Sequence, residues 1–175
     1  MRGGLRPPES AHFRNVVGRY PTGVAIVTAA TSEGPAGMAV NSFTSASLDP
    51  PLIIFCPAHS STTWPVMQSS GIVAVNILAV EQEALGRQFA ATGGDRFDGV
   101  RWSPGVNGAP LLAGASAWIE AHVVAEHPAG DHTVVIAMVD HLGADEGRDE
   151  PLIFHRGAFT GRRSATRNTI DGRAK

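Results

Sequence analysis

Apolar residues in this chain fall mainly in short runs or in alternation with polar ones, the spacing of strands. The runs "GVAIVTAAT", "GMAVNSFTSASL", "PLIIFC" and "GIVAVNILA" are set apart by turn-forming residues such as "SEGPA" and Asp49-Pro50-Pro51. Later, "AWIEAHVVAEH" alternates and is followed across "PAGD" by "HTVVIAMVDHLGA" and, beyond the acidic "DEGRDE", by "PLIFHRGAFTG". Three segments have helical spacing instead. Phe13, Val16, Val17 and Tyr20 do so behind Ser10 as the cap, and Pro21 and Gly23 stop that helix. The second, "SSTTWPVMQSS", opens on hydroxyls and an early proline and carries Trp64, Val66 and Met67. The third, residues 81–90, has early acids, a later Arg87, and Leu85 and Phe89 on one face. Residues 92–109 are rich in Gly, Asp and Pro and predict a long surface loop of the kind that usually covers something. Many closely spaced strands and few helices predict a mainly β chain, an antiparallel barrel or sandwich, and argue against a doubly wound sheet.

Length bounds this to one domain, since 175 residues suffice for a core burying roughly two-thirds of the unfolded surface and not for two such cores. The expected limits are a flexible tail over residues 1–10, the domain over 11–161 and a polar tail over 162–175. Hydrophobic residues at 43% and charged residues at 17% fit a globular protein. The last fourteen residues set five cations against Asp171, a surplus of +4 that leaves −6 on the rest within the overall −2. Such a balance offers no basic field for nucleic acid. Cys56 is the single cysteine, which excludes an intrachain disulfide or a cysteine zinc cage, and its setting in "LIIFCP" predicts a buried thiol. No apolar run follows the first ten residues, so neither a signal peptide nor a membrane span is expected, and a cytoplasmic location follows.

Two polar runs interrupt this pattern. Asn41, Ser42, Thr44, Ser45 and Ser47 crowd around Phe43 where a strand would alternate. Ser60, Ser61, Thr62 and Thr63 stand at a helix start, where free N–H groups and the dipole favour an anion such as a phosphate, and capping alone needs only one of them. No glycine-rich nucleotide loop is present to do that work. A third feature is Asp131-His132 at the mouth of a strand. No nucleophile, carboxylate pair or metal-ligand spacing accompanies it, and the other six histidines are scattered, so no metal site is expected.

These features resemble the short-chain flavin reductases of the FMN-binding split-barrel type, the reductase components of two-component flavin-dependent monooxygenases. The resemblance spans residues 13–159 and rests on "RYPTGVAIVT" (19–28), "GMAVNSFTSASLDPPL" (37–52), "AVNILA" (74–79) with "RQFA", "GDHTVVIAMV" (130–139) and "PLIFHRGAF" (151–159), five segments in order. It implies an antiparallel, Greek-key split β-barrel with a few short helices, FMN or FAD, NADH or NADPH as co-substrate, a homodimer with sites at the subunit interface, and a partner monooxygenase that takes up the reduced flavin. By the same resemblance Ala39, Val40, Asn41, Ser42, Phe43, Thr44 and Ser45 line the flavin ring, Thr22 lies in a turn near it, Ser60, Ser61, Thr62 and Thr63 hold the phosphate, and Phe89 and Ala90 close over that end. His132 is implied to face the flavin on the nicotinamide side, with Asp131 and Phe159 as neighbours there. Adjacent strand residues point to opposite faces, so Asp131 is expected to serve the turn. Trp102 is the loop aromatic expected to cover the cofactor. The chain departs from its relatives at Ala39, where many carry Thr, and near His59, where some carry a basic residue. The phosphate charge is then left to amides, the helix dipole or Arg87. Two alternatives share the barrel: an FMN-retaining oxidase like the pyridoxamine-phosphate oxidases, disfavoured because the only lysine is Lys175, and a non-catalytic flavin-binding protein.

Overall fold

The computed structural model describes residues 9–160; both expected tails fall outside this range, save Glu9 and Ser10. Twelve strands and three helices follow in the order α1 (Ser10–Val17), β1 (Thr22–Gly23), β2 (Ala25–Thr31), β3 (Gly34–Val40), β4 (Thr44–Leu48), β5 (Pro51–Phe55), α2 (Trp64–Gln68), β6 (Ile72–Ile77), α3 (Glu83–Ala90), β7 (Trp102–Pro104), β8 (Pro110–Leu112), β9 (Ala117–Ala129), β10 (His132–Ala144), β11 (Ile153–His155) and β12 (Ala158–Thr160). A short 3₁₀ turn, Val80–Gln82, leads into α3. The mainly β, antiparallel architecture expected from the spacing is present.

Strand order explains the shape. The main sheet runs β3-β2-β6-β9-β10-β5-β4 with every pairing antiparallel. Its two edge strands are therefore consecutive in sequence, joined only by Asn41, Ser42 and Phe43. Laid flat, the edges would be about 29 Å apart at ~4.8 Å per strand spacing. The link from Val40 to Thr44 reaches at most about 14 Å. The sheet must curl until its edges nearly meet, and because they do not pair, the barrel stays split. β1, β11 and β12 form a second sheet and β7 with β8 a third.

β2 is buried on both faces because it separates two cores. Ala25, Val27 and Ala29 point into the barrel, against Phe55, Trp64, Met67 and Val135, while Val24 and Ile26 point outward against Leu78, Phe89, Leu112 and Leu152. α3 closes the outer core by burying Phe89, a side chain whose burial contributes on the order of 2–3 kcal/mol. Gly37 permits this close approach, since a Cβ there would come within 2.7 Å of the Phe89 ring.

Three readings of the sequence need correction, and a fourth feature was not foreseen. The run over 37–48 is two strands on opposite edges, broken where Ser42 Oγ accepts the Cys56 N–H at 2.9 Å. The C-terminal run is a hairpin, β11–β12. Ser10 is the first residue of α1 and not its cap, which Glu9 provides without a side-chain bond. The apolar stripe of α1 and the turn after it is left open among the described residues: Phe13, Val16, Val17 and Tyr20 are all more than half exposed. Periodicity identified the helix and could not identify what it faces.

The segment after α3 is tied down by buried polar groups. Asn76, fully buried, donates to Ile26 O and Thr28 Oγ1 at 3.1 Å and accepts the Leu112 N–H at 2.7 Å; Thr28 in turn donates to Pro110 O at 2.6 Å. Glu120, 5% exposed, accepts the Asn107 N–H at 2.8 Å. Removing one member leaves several buried groups unpaired. Asn76→Ala is expected to lower stability by about 2–4 kcal/mol in urea unfolding; a loss below about 1 kcal/mol would mean the network does not anchor this segment.

Candidate functional site

The free edge of β3 borders a cleft of about 370 Å³ at the split of the barrel, within the range of small-molecule sites. Its walls come from Met38 to Ser42, from Cys56, Ala58 and Ser60 to Thr62, from Phe89, Ala90, Thr92 and Arg96, and from His132. Each wall is placed by the fold. Residues 57–59 lie against the mouth of the β9–β10 hairpin, where the His59 N–H donates to Asp131 O at 2.8 Å and the Thr133 N–H to Pro57 O at 3.0 Å. That hairpin turns on Gly130 and Asp131 alone, with Gly130 at φ +65°, so His132 emerges as the first residue of β10 beside Ala58.

The four hydroxyls before α2 divide into two pairs. Ser61 Oγ accepts the N–H groups of Thr63 and Trp64 at 3.3 and 3.2 Å at the entry to α2; Thr63 Oγ1 accepts Arg96 Nη1 at 2.6 Å. Among the described residues the side chains of Ser60, Thr62 and Asn41 have no partner within the chain.

Arg96 is the charge of the cleft, and sequence reasoning passed it over in favour of Arg87. Arg87 is held on the outer surface of α3 by Glu83 at 2.7 Å and lies over the Phe159 ring. Arg96 instead donates to Gly37 O at 3.0 Å, Thr63 Oγ1 at 2.6 Å and Ala91 O at 2.8 Å. All are neutral acceptors, and among the described residues no carboxylate lies within ion-pair distance of its guanidinium. A half-buried cation with fixed geometry and no counter-charge is a seat for an anion. The signal in the sequence was an arginine inside the long glycine-rich segment after α3.

His132 and Asp131 are paired rather than divided between faces. His132 Nδ1 and Asp131 Oδ1 are 2.7 Å apart, a geometry available because Asp131 sits in the turn and not in the strand. This hydrogen bond, followed by the charge of His132, holds the Asp131 carboxyl below its ordinary value. A carboxylate depressed in this way contributes to stability above its unfolded pKa and loses that contribution as pH falls through the lower folded value. With Nδ1 engaged, Nε2 is the ring nitrogen left for a ligand.

A second, apolar chamber of about 260 Å³ adjoins the first through Ala39, Val40, Asn41 and Ala90, and is walled by Val24, Phe154 and Phe159. The structure thus gathers Ala39, Val40, Asn41, Ser42, Ser60, Ser61, Thr62, Phe89, Ala90, His132 and Phe159 of the expected site. It sets others apart. Phe43 packs on the inner core, and Thr44 and Ser45 lie exposed on β4 across the split. Thr22 buries its hydroxyl without a partner beside β11 and lines neither chamber. Trp102 packs edge-on to Phe97, pairs with Leu112 across β7 and β8, and lines a separate depression with Trp118 and not the cleft. Cys56, expected to be buried, is partly exposed and lines it. Among the described residues no three of His, Cys, Asp and Glu are grouped to hold a metal ion.

Comparison with known proteins agrees with this geometry. A family model described as a flavin reductase like domain matches residues 17–162. The flavin reductase of Pseudomonas putida is 43% identical over 150 residues, covering 85% of this chain and 88% of that protein. The HsaB reductase subunit of a flavin-dependent monooxygenase from Rhodococcus jostii is 41% identical over 150 residues, covering 85% and 76%. Among solved structures, the Streptomyces globisporus NADH:FAD oxidoreductase SgcE6, in complex with NAD and FAD fragments, superposes with a TM-score of 0.86 at 36% identity over 95% of this chain and 99% of that one. A hydroxyl-lined cleft holding an uncompensated arginine beside an apolar chamber, and a match spanning nearly every described element, lead to one assignment: the chain belongs to the flavin reductase like family.

Proposed function

We propose that the chain takes hydride from NADH onto FMN or FAD and releases the reduced flavin to a separate monooxygenase. The observation that carries this reading is the cleft's division of labour: an apolar chamber, a hydroxyl-lined chamber, and an uncompensated Arg96 at the far end of the latter. A flavin has these parts in this order: a planar, largely apolar ring, a polyhydroxyl chain and a phosphate. The donor set fits. Ala39, Val40 and Asn41 on the unpaired edge of β3 would hold the ring through their backbone, with Phe89 and Ala90 above; Ser60, Thr62 and Arg96 would hold the chain and phosphate. NADH as the reductant is supported by the name of the Streptomyces relative.

The bound flavin supplies the hydride acceptor, and the protein supplies distance and orientation. Asp131 fixes the His132 ring through Nδ1, so that Nε2 offers one defined polar contact at the mouth of the cleft. Phe159 and Phe154 exclude water from the apolar side. Arg96 binds through charge, and the absence of any carboxylate partner keeps that charge available. The reading includes a homodimer, for which the exposed stripe of α1 is the support, and a cytoplasmic location where NADH is at hand. No helix of the described residues is long and apolar enough to cross a membrane.

The direct test is NADH oxidation with each of FMN, FAD and riboflavin added. Turnover with at least one flavin is expected, and no consumption of NADH with any of them would refute the reading. Two variants separate the roles. Arg96→Met should weaken FMN binding by about 10- to 100-fold, the worth of a hydrogen-bonded charge pair, and leave riboflavin binding nearly unchanged in fluorescence titrations. His132→Ala should raise the KM for NADH more than it raises the Kd for flavin; the reverse order would put His132 on the wrong side of the ring.

A further inference from the structure

Beyond Arg96 the trench continues. A third chamber of about 210 Å³ opens between the start of β3 and the segment that follows α3. It shares Thr62 and Arg96 with the hydroxyl-lined chamber and no residue with the apolar one. The three chambers therefore lie in line along β3, with Arg96 at the second junction. A mononucleotide flavin ends at its phosphate. The space past the guanidinium lies beyond its reach.

The chemistry of that space is specific. Its outer wall is Gly93-Gly94, where a Cβ at either position would meet open space, so no side chain fills the chamber from that side. Next comes the exposed Asp95, whose Oδ1 accepts the Phe97 N–H at 2.8 Å and whose other carboxylate oxygen has no partner among the described residues. A carboxylate of this kind is the usual partner of a ribose diol, and an arginine that of a phosphate. Arg96 followed by Asp95 thus repeats the order phosphate then ribose.

Resting on the flavin reading above, we propose that this third chamber receives the adenylate half of FAD, with Asp95 on its ribose, and that the chain takes FAD in preference to FMN. The second phosphate and the ribose would lie along this open chamber, with the base at its rim. Asp95 is then the residue that distinguishes the two flavins, while Arg96 serves both.

The experiment is equilibrium binding of FAD, FMN and riboflavin to the full chain and to Asp95→Asn, which keeps an oxygen for the Phe97 N–H and removes the charge. The parent is expected to bind FAD about tenfold more tightly than FMN, roughly the worth of one charge-assisted hydrogen bond. Asp95→Asn should bring FAD close to the FMN value and change FMN less than twofold. Equal affinities in the parent would overturn the proposal whatever the variant does, as would an equal loss for both flavins in the variant. Absence of binding by all three flavins would instead remove the flavin reading, and this proposal with it.

Discussion

A three-residue link joins the two edges of the main sheet, and the rest of the site depends on it. Because Asn41, Ser42 and Phe43 span what would otherwise be the full width of seven strands, the sheet has no choice but to curl, and β3 is left with an unpaired edge facing the gap. An unpaired edge is normally a liability to be covered. Here it forms one border of a cleft, and the other walls are brought to it by long-range pairing: residues 57–62 by the hairpin mouth at Asp131, and Phe89 by the close approach that Gly37 allows. The cleft belongs to the topology more than to any one motif.

Charge within the cleft follows from what is missing as much as from what is present. The chain is acidic outside its C-terminal segment, and the exposed Arg87 and Arg148 are paired with carboxylates. Arg96 is the exception in the cleft: it is satisfied by carbonyls and a hydroxyl, which fix its position without neutralising it. The buried bonds of Asn76, Thr28 and Glu120 hold the later part of the same excursion to the barrel. Positioning and chemistry thus sit on one segment, at its two ends.

Much of this was legible in the sequence. Period-two runs gave the strands, and the polar interruptions at 41–45 and 60–63 pointed to the two walls that carry hydroxyls. The misreadings share a cause: the sequence shows which residues are polar or apolar and not which element they end up against. Thr44 and Ser45 read as continuous with Ala39 to Ser42 because a strand run gives no sign that it changes edges. Arg96 was hidden in a segment with no periodicity, and Arg87, on a recognisable helix, was the arginine named beside amides and the helix dipole. Asp131 lies in the turn as expected, but strand alternation had set it apart from His132, and in the turn alternation does not apply, so the two side chains meet. The α1 stripe was visible as a pattern, and only the structure revealed that it stays exposed among the described residues.

The central claim is that the free edge of β3 and the walls around it form one binding trench for a flavin. Backbone hydrogen exchange of the chain, with and without saturating FMN, tests it most directly. Slower exchange confined to residues 38–42, 58–62 and 89–96 is the result the account predicts. Protection centred elsewhere, for example on β7 and β8 around Trp102, with those three segments unchanged, would contradict it.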